Sequence, residues 1–429
     1  MKQKIINSMK HPLISGSIVL FFGSMLGSVI NFIFNLFMSR NLTVADYGIL
    51  ASLTSIISLA MVVSGSAVPM VVNFAAHYFA KNDLAHVRGL FIQATKYYTV
   101  FGIVALLLFI IFPGQIGQFF NIHQIPLVLL SGFIIFIVFI STVNTALLQA
   151  NLSFRYLSFS SFIAALSKLG FGVLFFMIGL QVFGAMWALL ISFFISYVIT
   201  FYPLRFIFSK NLKAPTLDMR ELFLYGLPAA VATFGVTSFI TTDIILVKHF
   251  FAPEAAGIYA GLSLVGRVIF FLTAPISSVM FPLISQKHAK KEAYNNTFLL
   301  SFLIVLLPCL AITVFYFIFP EFSINIFIKK KEYLQAAHLV GFFGIFITIY
   351  SLLNVFVNFF LSVKKTNIWI PISVAAILQI VFICVYHQTF YQVIMISLGS
   401  TGMLLVYFTG YYFKIREKKG EPSETGVLL

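Results

Sequence analysis

Two cations stand where a membrane-crossing helix would bury them. Lys168, in Ala165-Leu-Ser-Lys168-Leu-Gly170, lies well inside one apolar run, and Arg267 follows Gly257 inside another. At 1.5 Å per residue their depths are roughly 18 Å and 15 Å, near the middle of a hydrocarbon core about 30 Å thick. An ionisable group at that depth is costly, and is retained where it faces a cavity or pairs with another buried charge. Small residues surround both: Ala164, Ala165, Ser167 and Gly170 in one case, Gly261, Ser263 and Gly266 in the other. Either side chain could therefore line a cavity or enter a buried ion pair; snorkelling to the interface is a long reach from mid-membrane.

Asp243 is the acidic residue that falls within the apolar part of a run, five residues before Lys248. It could pair with Arg267 or Arg40 in a gate beside Lys248, bind a coupling cation, or form a fixed salt bridge. Asn31 and Asn35 share a helix face at a spacing of four, as do Asn354 and Asn358. Such amides suit sugar hydroxyls, and equally join helices. The sequence holds no HExxH, no CxxC, no paired carboxylates within a span and no GxxxxGK[ST] loop. Those absences argue against a metal centre and direct use of ATP. The chain is accordingly expected to be no enzyme and to need no cofactor.

The elements that must position these residues follow from composition. The 429-residue chain is 60% hydrophobic and only 9% charged, with a mean hydropathy of +1.03. Long apolar runs without strand-like alternation predict an all-α polytopic membrane protein. The spans fall at 13–39, 48–72, 90–112, 126–148, 157–180, 183–206, 221–247, 255–284, 296–319, 334–362, 367–386 and 390–413, about twelve helices of spanning length. The first run is too long for the core of a cleaved signal. Cys309 and Cys384 both lie inside spans, so no disulfide framework is indicated. Pro69, Pro228, Pro275 and Pro282 are expected to bend their helices.

The net charge of +15 invites a nucleic-acid reading, but the positions decide against it. Of 27 lysines and arginines, 20 fall in segments on the N-terminal side of the membrane. Five (Arg40, Lys248, Lys329, Lys330, Lys331) fall on the other, with Lys168 and Arg267 inside spans. That asymmetry orients both termini to the cytoplasm. The outer triplet Lys329–Lys331 reads as a solvated loop or a contact for anionic headgroups.

A short corner organises the chain. Arg40-Asn-Leu-Thr-Val-Ala-Asp-Tyr-Gly48 is echoed by His249-Phe-Phe-Ala-Pro-Glu-Ala-Ala-Gly257, so that Gly48 aligns with Gly257, Ile49 with Ile258 and Leu53 with Leu262. The repeat predicts two pseudo-symmetric six-helix bundles around a central cavity. Residues 1–208 form the N-terminal lobe, 209–220 a cytoplasmic linker, 221–413 the C-terminal lobe and 414–429 a cytoplasmic tail. In transporters built this way the substrate sits where the repeats meet.

The same corner resembles the first outer loop of bacterial polysaccharide-export flippases. So do Leu148-Gln-Ala-Asn-Leu-Ser-Phe-Arg155-Tyr, Glu221-Leu-Phe-Leu-Tyr-Gly226-Leu-Pro228 and Asp243-Ile-Ile-Leu-Val with Pro253-Glu-Ala-Ala-Gly257-Ile-Tyr259. Over residues 11–412 the chain resembles the O-antigen and capsule-unit flippases of the multidrug/oligosaccharidyl-lipid/polysaccharide exporter superfamily. Ile244 departs from the arginine many relatives carry after the aspartate.

The resemblance implies a cationic chamber that takes an undecaprenyl-pyrophosphate-linked oligosaccharide from the inner to the outer leaflet of a bacterial inner membrane. A polymerase, a chain-length regulator and membrane lipids are its implied partners, and nucleic acid is not. Lys168 and Arg267 would meet the pyrophosphate, with Asn31, Asn35, Asn354 and Asn358 meeting sugar. Proton or sodium exchange, or the membrane potential, would drive it. The rival expectation is a cation-coupled multidrug exporter of the same superfamily, which would want acidic residues in the cavity.

Overall fold

Inside lipid every backbone polar group must find its partner within the chain, and sustained apolar runs meet that demand as helices. The computed structural model describes residues 12–65, 68–208, 220–289 and 292–418, and the described parts of the predicted runs are mostly helical. The N-terminal half is α1 (Pro12–Asn41), α2 (Val44–Gly65), α3 (Val68–Ala80), α4 (Leu84–Ile111), the short α5 (Pro113–Phe119), α6 (Ile125–Ala150), α7 (Phe154–Met177) and α8 (Gln181–Phe201). The C-terminal half is α9 (Arg220–Phe239), α10 (Thr242–Phe250), α11 (Pro253–Gly266), α12 (Val268–Ala289), α13 (Asn295–Ile318), the short α14 (Pro320–Phe327), a 3-10 segment (Lys331–Leu339), α15 (Val340–Ser362), α16 (Trp369–Val385) and α17 (Phe390–Lys418). Ten described helices are long and apolar enough to cross a membrane, or 11 if α9 and α10 count as one span. The chain is a multi-pass membrane protein. The expected linker lies almost wholly outside the described residues, as do Lys210 and Lys213, and α17 runs on into the expected tail as far as Lys418.

Two expected spans are jointed. Residues 221–247 bend by 48° between α9 and α10, and 255–284 break at Arg267 between α11 and α12. Pro228 lies inside α9 and Pro275 inside α12, whereas the joints fall at Ile240–Thr241 and at Arg267. A joint at membrane depth is tolerated when side chains satisfy the freed carbonyls. Here Gln379 on α16 donates to Phe239 O at 3.0 Å, and the Arg267 guanidinium donates to Ile240 O.

Proline opens α5, α11 and α14, where its missing N–H costs nothing. α5 and α14 both begin at the proline of an Ile-Phe-Pro tripeptide, at 111–113 and 318–320, so the repeat extends to these short helices. The α1–α2 corner, the α10–α11 corner and both short helices gather at one end of the bundle, hereafter the corner end.

Two buried apolar cores result. One runs from Phe34 to Ile207 and takes in Ala260 and Leu264 of α11; the other runs from Ala232 to Tyr412 with Val44 and Ala51 of α2 packed on it. α2 and α11 thus each reach into the opposite half. Leu300, Leu307 and Val314 on α13, and Met403 and Val406 on α17, stay exposed, as side chains bathed by lipid do.

Candidate functional site

A cavity of about 520 Å³ lies within the N-terminal half, walled by α1, α2, α3, α6, α7 and α8. Its charged lining residue is Lys168. The ammonium donates to Asn31 Oδ1 at 3.0 Å and sits 4.3 Å from the centre of the Phe34 ring. Among the described residues no carboxylate lies within ion-pair distance of it. A neutral amide and an aromatic face hold the cation in place without cancelling its charge.

Local sequence explains how those three groups meet. Asn31 and Phe34 are three apart on α1, so both face α7. The Asn31 amide nitrogen donates to Gly27 O at 2.9 Å, which turns Oδ1 toward Lys168. α1 and α7 approach closely because glycine marks the contact. A Cβ at Gly172 would meet the Phe34 ring at 2.6 Å, and one at Gly23 would meet Ser158 Cβ at 2.5 Å.

The rest of the polar wall is hydroxyl: Thr54, Ser58 and Ser64 from α2, Ser141, Thr142 and Thr145 from α6, Ser161 from α7, and Ser192 and Ser196 from α8. Most of these donate along their own helices. Thr54 donates to Leu50 O at 2.8 Å, Ser58 to Thr54 O at 2.8 Å and Ser192 to Leu189 O at 2.8 Å. With its proton so engaged, a hydroxyl offers lone pairs to a ligand. The cavity therefore combines one cation with a wall of acceptors, a chemistry suited to an anionic group joined to a polyhydroxyl one. No Asp or Glu is among its lining residues.

The other expected site residues are dispersed. Arg267 does not share the cavity with Lys168. It sits at the α11–α12 joint, where it caps Ile240 O. Asn35 donates to Asn31 O at 2.8 Å within α1. Asn358 donates to Asn354 O at 2.8 Å and to Asn354 Oδ1 at 2.5 Å, an internal pair on α15 away from this cavity. Asp243 is fully buried. It accepts from the Tyr259 hydroxyl at 2.9 Å and from Ile244 N at 2.8 Å, and forms no ion pair with Arg267 or Arg40. The Lys248 ammonium is buried without a hydrogen-bond partner among the described residues. Arg40 crosses to the other half, donating to Ile326 O at 2.8 Å and to Phe327 O.

Of the two cations singled out in the sequence, this cavity holds Lys168 and not Arg267. The hydroxyl wall is what sequence reading missed. Its signal was present as the pairs Thr54/Ser58, Ser141/Thr145 and Ser192/Ser196, each four residues apart on an apolar helix.

Comparison with known proteins agrees with this architecture. The fold is similar to that of a multidrug resistance MATE family transporter of the MOP superfamily in its inward-facing conformation, with a TM-score of 0.71 at 12% identity, covering 94% of this chain and 99% of that one. An outward-facing MATE family transporter matches with a TM-score of 0.65 at 13% identity over 95% and 96% of the two chains. The lipid II flippase MurJ in an inward closed conformation matches with 0.67 at 12% identity over 92% and 87%. No curated protein matches by sequence. Residues 37–337 match a family described as polysaccharide biosynthesis protein, and to that family this chain belongs.

Proposed function

We propose that the protein is a flippase that carries a polyprenyl-pyrophosphate-linked oligosaccharide, an O-antigen or capsule repeat unit, from the inner to the outer leaflet of a bacterial inner membrane. The observation that carries this reading is Lys168, an ion-pair-free ammonium among hydroxyls in a cavity at membrane depth. A phosphate group would take the ammonium, and sugar hydroxyls would donate to the wall. The family's assignment to polysaccharide biosynthesis supports the glycan, and the likeness to a lipid II flippase supports a lipid-linked carrier.

The surplus of lysine and arginine on the N-terminal side supports a reading with both termini in the cytoplasm and the corner end outside. Two uncompensated negative charges moving outward across 100 mV would gain roughly 4–5 kcal/mol, enough to drive flipping without ATP. A polymerase and a chain-length regulator would act on the delivered unit.

A cation-coupled multidrug exporter would want a carboxylate in the cavity, and the lining residues offer none. The test is a strain lacking the protein. Lipid-linked repeat units should accumulate in the inner leaflet and surface polysaccharide should disappear, with no change in drug susceptibility. Increased drug sensitivity with normal surface glycan would reverse the assignment.

A further inference from the structure

The contacts between the two halves at the corner end repeat themselves. Arg40, on the last turn of α1, donates to Ile326 O and Phe327 O at the C-terminus of α14 in the other half. Its repeat equivalent is His249, on the last turn of α10. The His249 ring Nδ1 lies 2.6 Å from Phe119 O at the C-terminus of α5, with its ring stacked on Phe119 at 4.2 Å. A carbonyl only accepts, so the Nδ1–H form of the imidazole donates there.

The return contacts correspond as well. Lys330, just past α14, donates to Leu42 O after α1, while Asn121, just past α5, donates to Lys248 O at 3.3 Å and His249 O at 3.1 Å at the end of α10. Arg40 and His249 are 209 residues apart, the offset that relates Gly48 to Gly257, and the return donors follow the short helices, Asn121 two residues after Phe119 and Lys330 three after Phe327. The backbone turns in both places: Asn121 and Lys329, each two residues past its short helix, adopt a positive φ of 48° and 56°.

We propose that these contacts form two repeat-related latches, Arg40 with Lys330 and His249 with Asn121, that fasten a reversible gate at the corner end. The donors bind helix C-terminal carbonyls, which carry partial negative charge and lie at the rim of the bundle. When the halves part, each donor and each carbonyl returns to water, so opening strands no charge in an apolar place. A carboxylate–guanidinium pair would hold more tightly. Four separate donor residues spread over two latches also let the gate loosen one side at a time. The two sides differ in chemistry: one carries two permanent cations, the other an imidazole and an amide. Lys248 contributes its carbonyl rather than its ammonium, and Asp243, bonded to Tyr259, stands outside the latch.

This inference rests on the reading of the chain as an alternating-access transporter, and its test separates the two. Exposed His123 and Glu332 lie at the corner end on opposite halves. Cysteines placed there, in full-length protein with exposed Cys384 replaced by Ser, accept spin labels for a distance distribution in lipid nanodiscs. The double variants Arg40→Ala/Lys330→Ala and His249→Ala/Asn121→Ala should each enlarge the long-distance population, and the quadruple variant should enlarge it most. The same cysteine pair, crosslinked in cells, should block export of surface polysaccharide.

An unchanged distance distribution in all variants, with export still blocked by the crosslink, would overturn the latches and leave alternation standing. An unchanged distribution with export surviving the crosslink would overturn both.

Discussion

A Cβ on Gly48 would stand 2.8 Å from the Gly257 backbone nitrogen, and one on Gly257 would collide with Val44 O. These two glycines are the repeat equivalents of one another, so the chain's internal duplication closes on itself at their contact. α2 and α11 cross there with backbone against backbone. Small residues are what permit so close an approach between membrane helices.

Gly257→Ala should therefore be destabilising. Overpacking of this kind costs about 1–3 kcal/mol. The variant should show a lower apparent Tm in detergent than wild type, and Gly65→Ala, where nothing lies within 4 Å of an added Cβ, should not.

Lys168 and Arg267 should separate in their effects. Lys168→Gln should abolish export of polysaccharide while leaving the amount of protein in the membrane unchanged. Arg267→Gln should lower that amount, because Ile240 O loses its donor at a helix joint. A buried carbonyl left unsatisfied costs about 1–3 kcal/mol. Quantified membrane fractions beside surface-glycan blots would distinguish the two outcomes.

How much of this was legible in sequence differs from residue to residue. Lys168 stood out because one charge in an apolar run has few uses, and its depth left a cavity wall or a buried ion pair; the structure places it on a cavity wall. Arg267 gave the same local signal and a different outcome. Its partner, Ile240 O, becomes available only because α9 and α10 separate at Ile240–Thr241, and no proline or glycine marks that joint. Asn31 and Asn358 show the same divergence. Both sit in Asn pairs four apart, yet one amide turns to a cation on the neighbouring helix and the other to its own helix. Neighbouring helices decide such cases, and spacing within one helix cannot. The repeated corner, by contrast, was fully readable, because the glycines it aligns are the ones that touch.

Asn31→Leu should weaken the site without emptying it. The ammonium would keep the Phe34 ring but lose the acceptor that positions it. A lost neutral acceptor is worth about 1 kcal/mol, or roughly fivefold in affinity for the glycan carrier. Titration of purified protein in nanodiscs would read the change.

The hydroxyl wall should act in sum. Ser58→Ala or Ser192→Ala alone should change transport little, since each removes one acceptor among several. Thr54→Val, Ser58→Ala, Ser141→Ala and Ser192→Ala together should reduce export severalfold and leave binding of a sugar-free polyprenyl pyrophosphate intact. Loss of both ligands alike would place the sugar elsewhere.

The most direct measurement is binding of a polyprenyl-pyrophosphate-linked oligosaccharide to wild-type protein and to Lys168→Gln, each folded in nanodiscs. A charge-assisted hydrogen bond of about 1.5–3 kcal/mol predicts a loss of affinity of roughly 10- to 150-fold in the variant. Equal affinity in the two proteins would contradict the account.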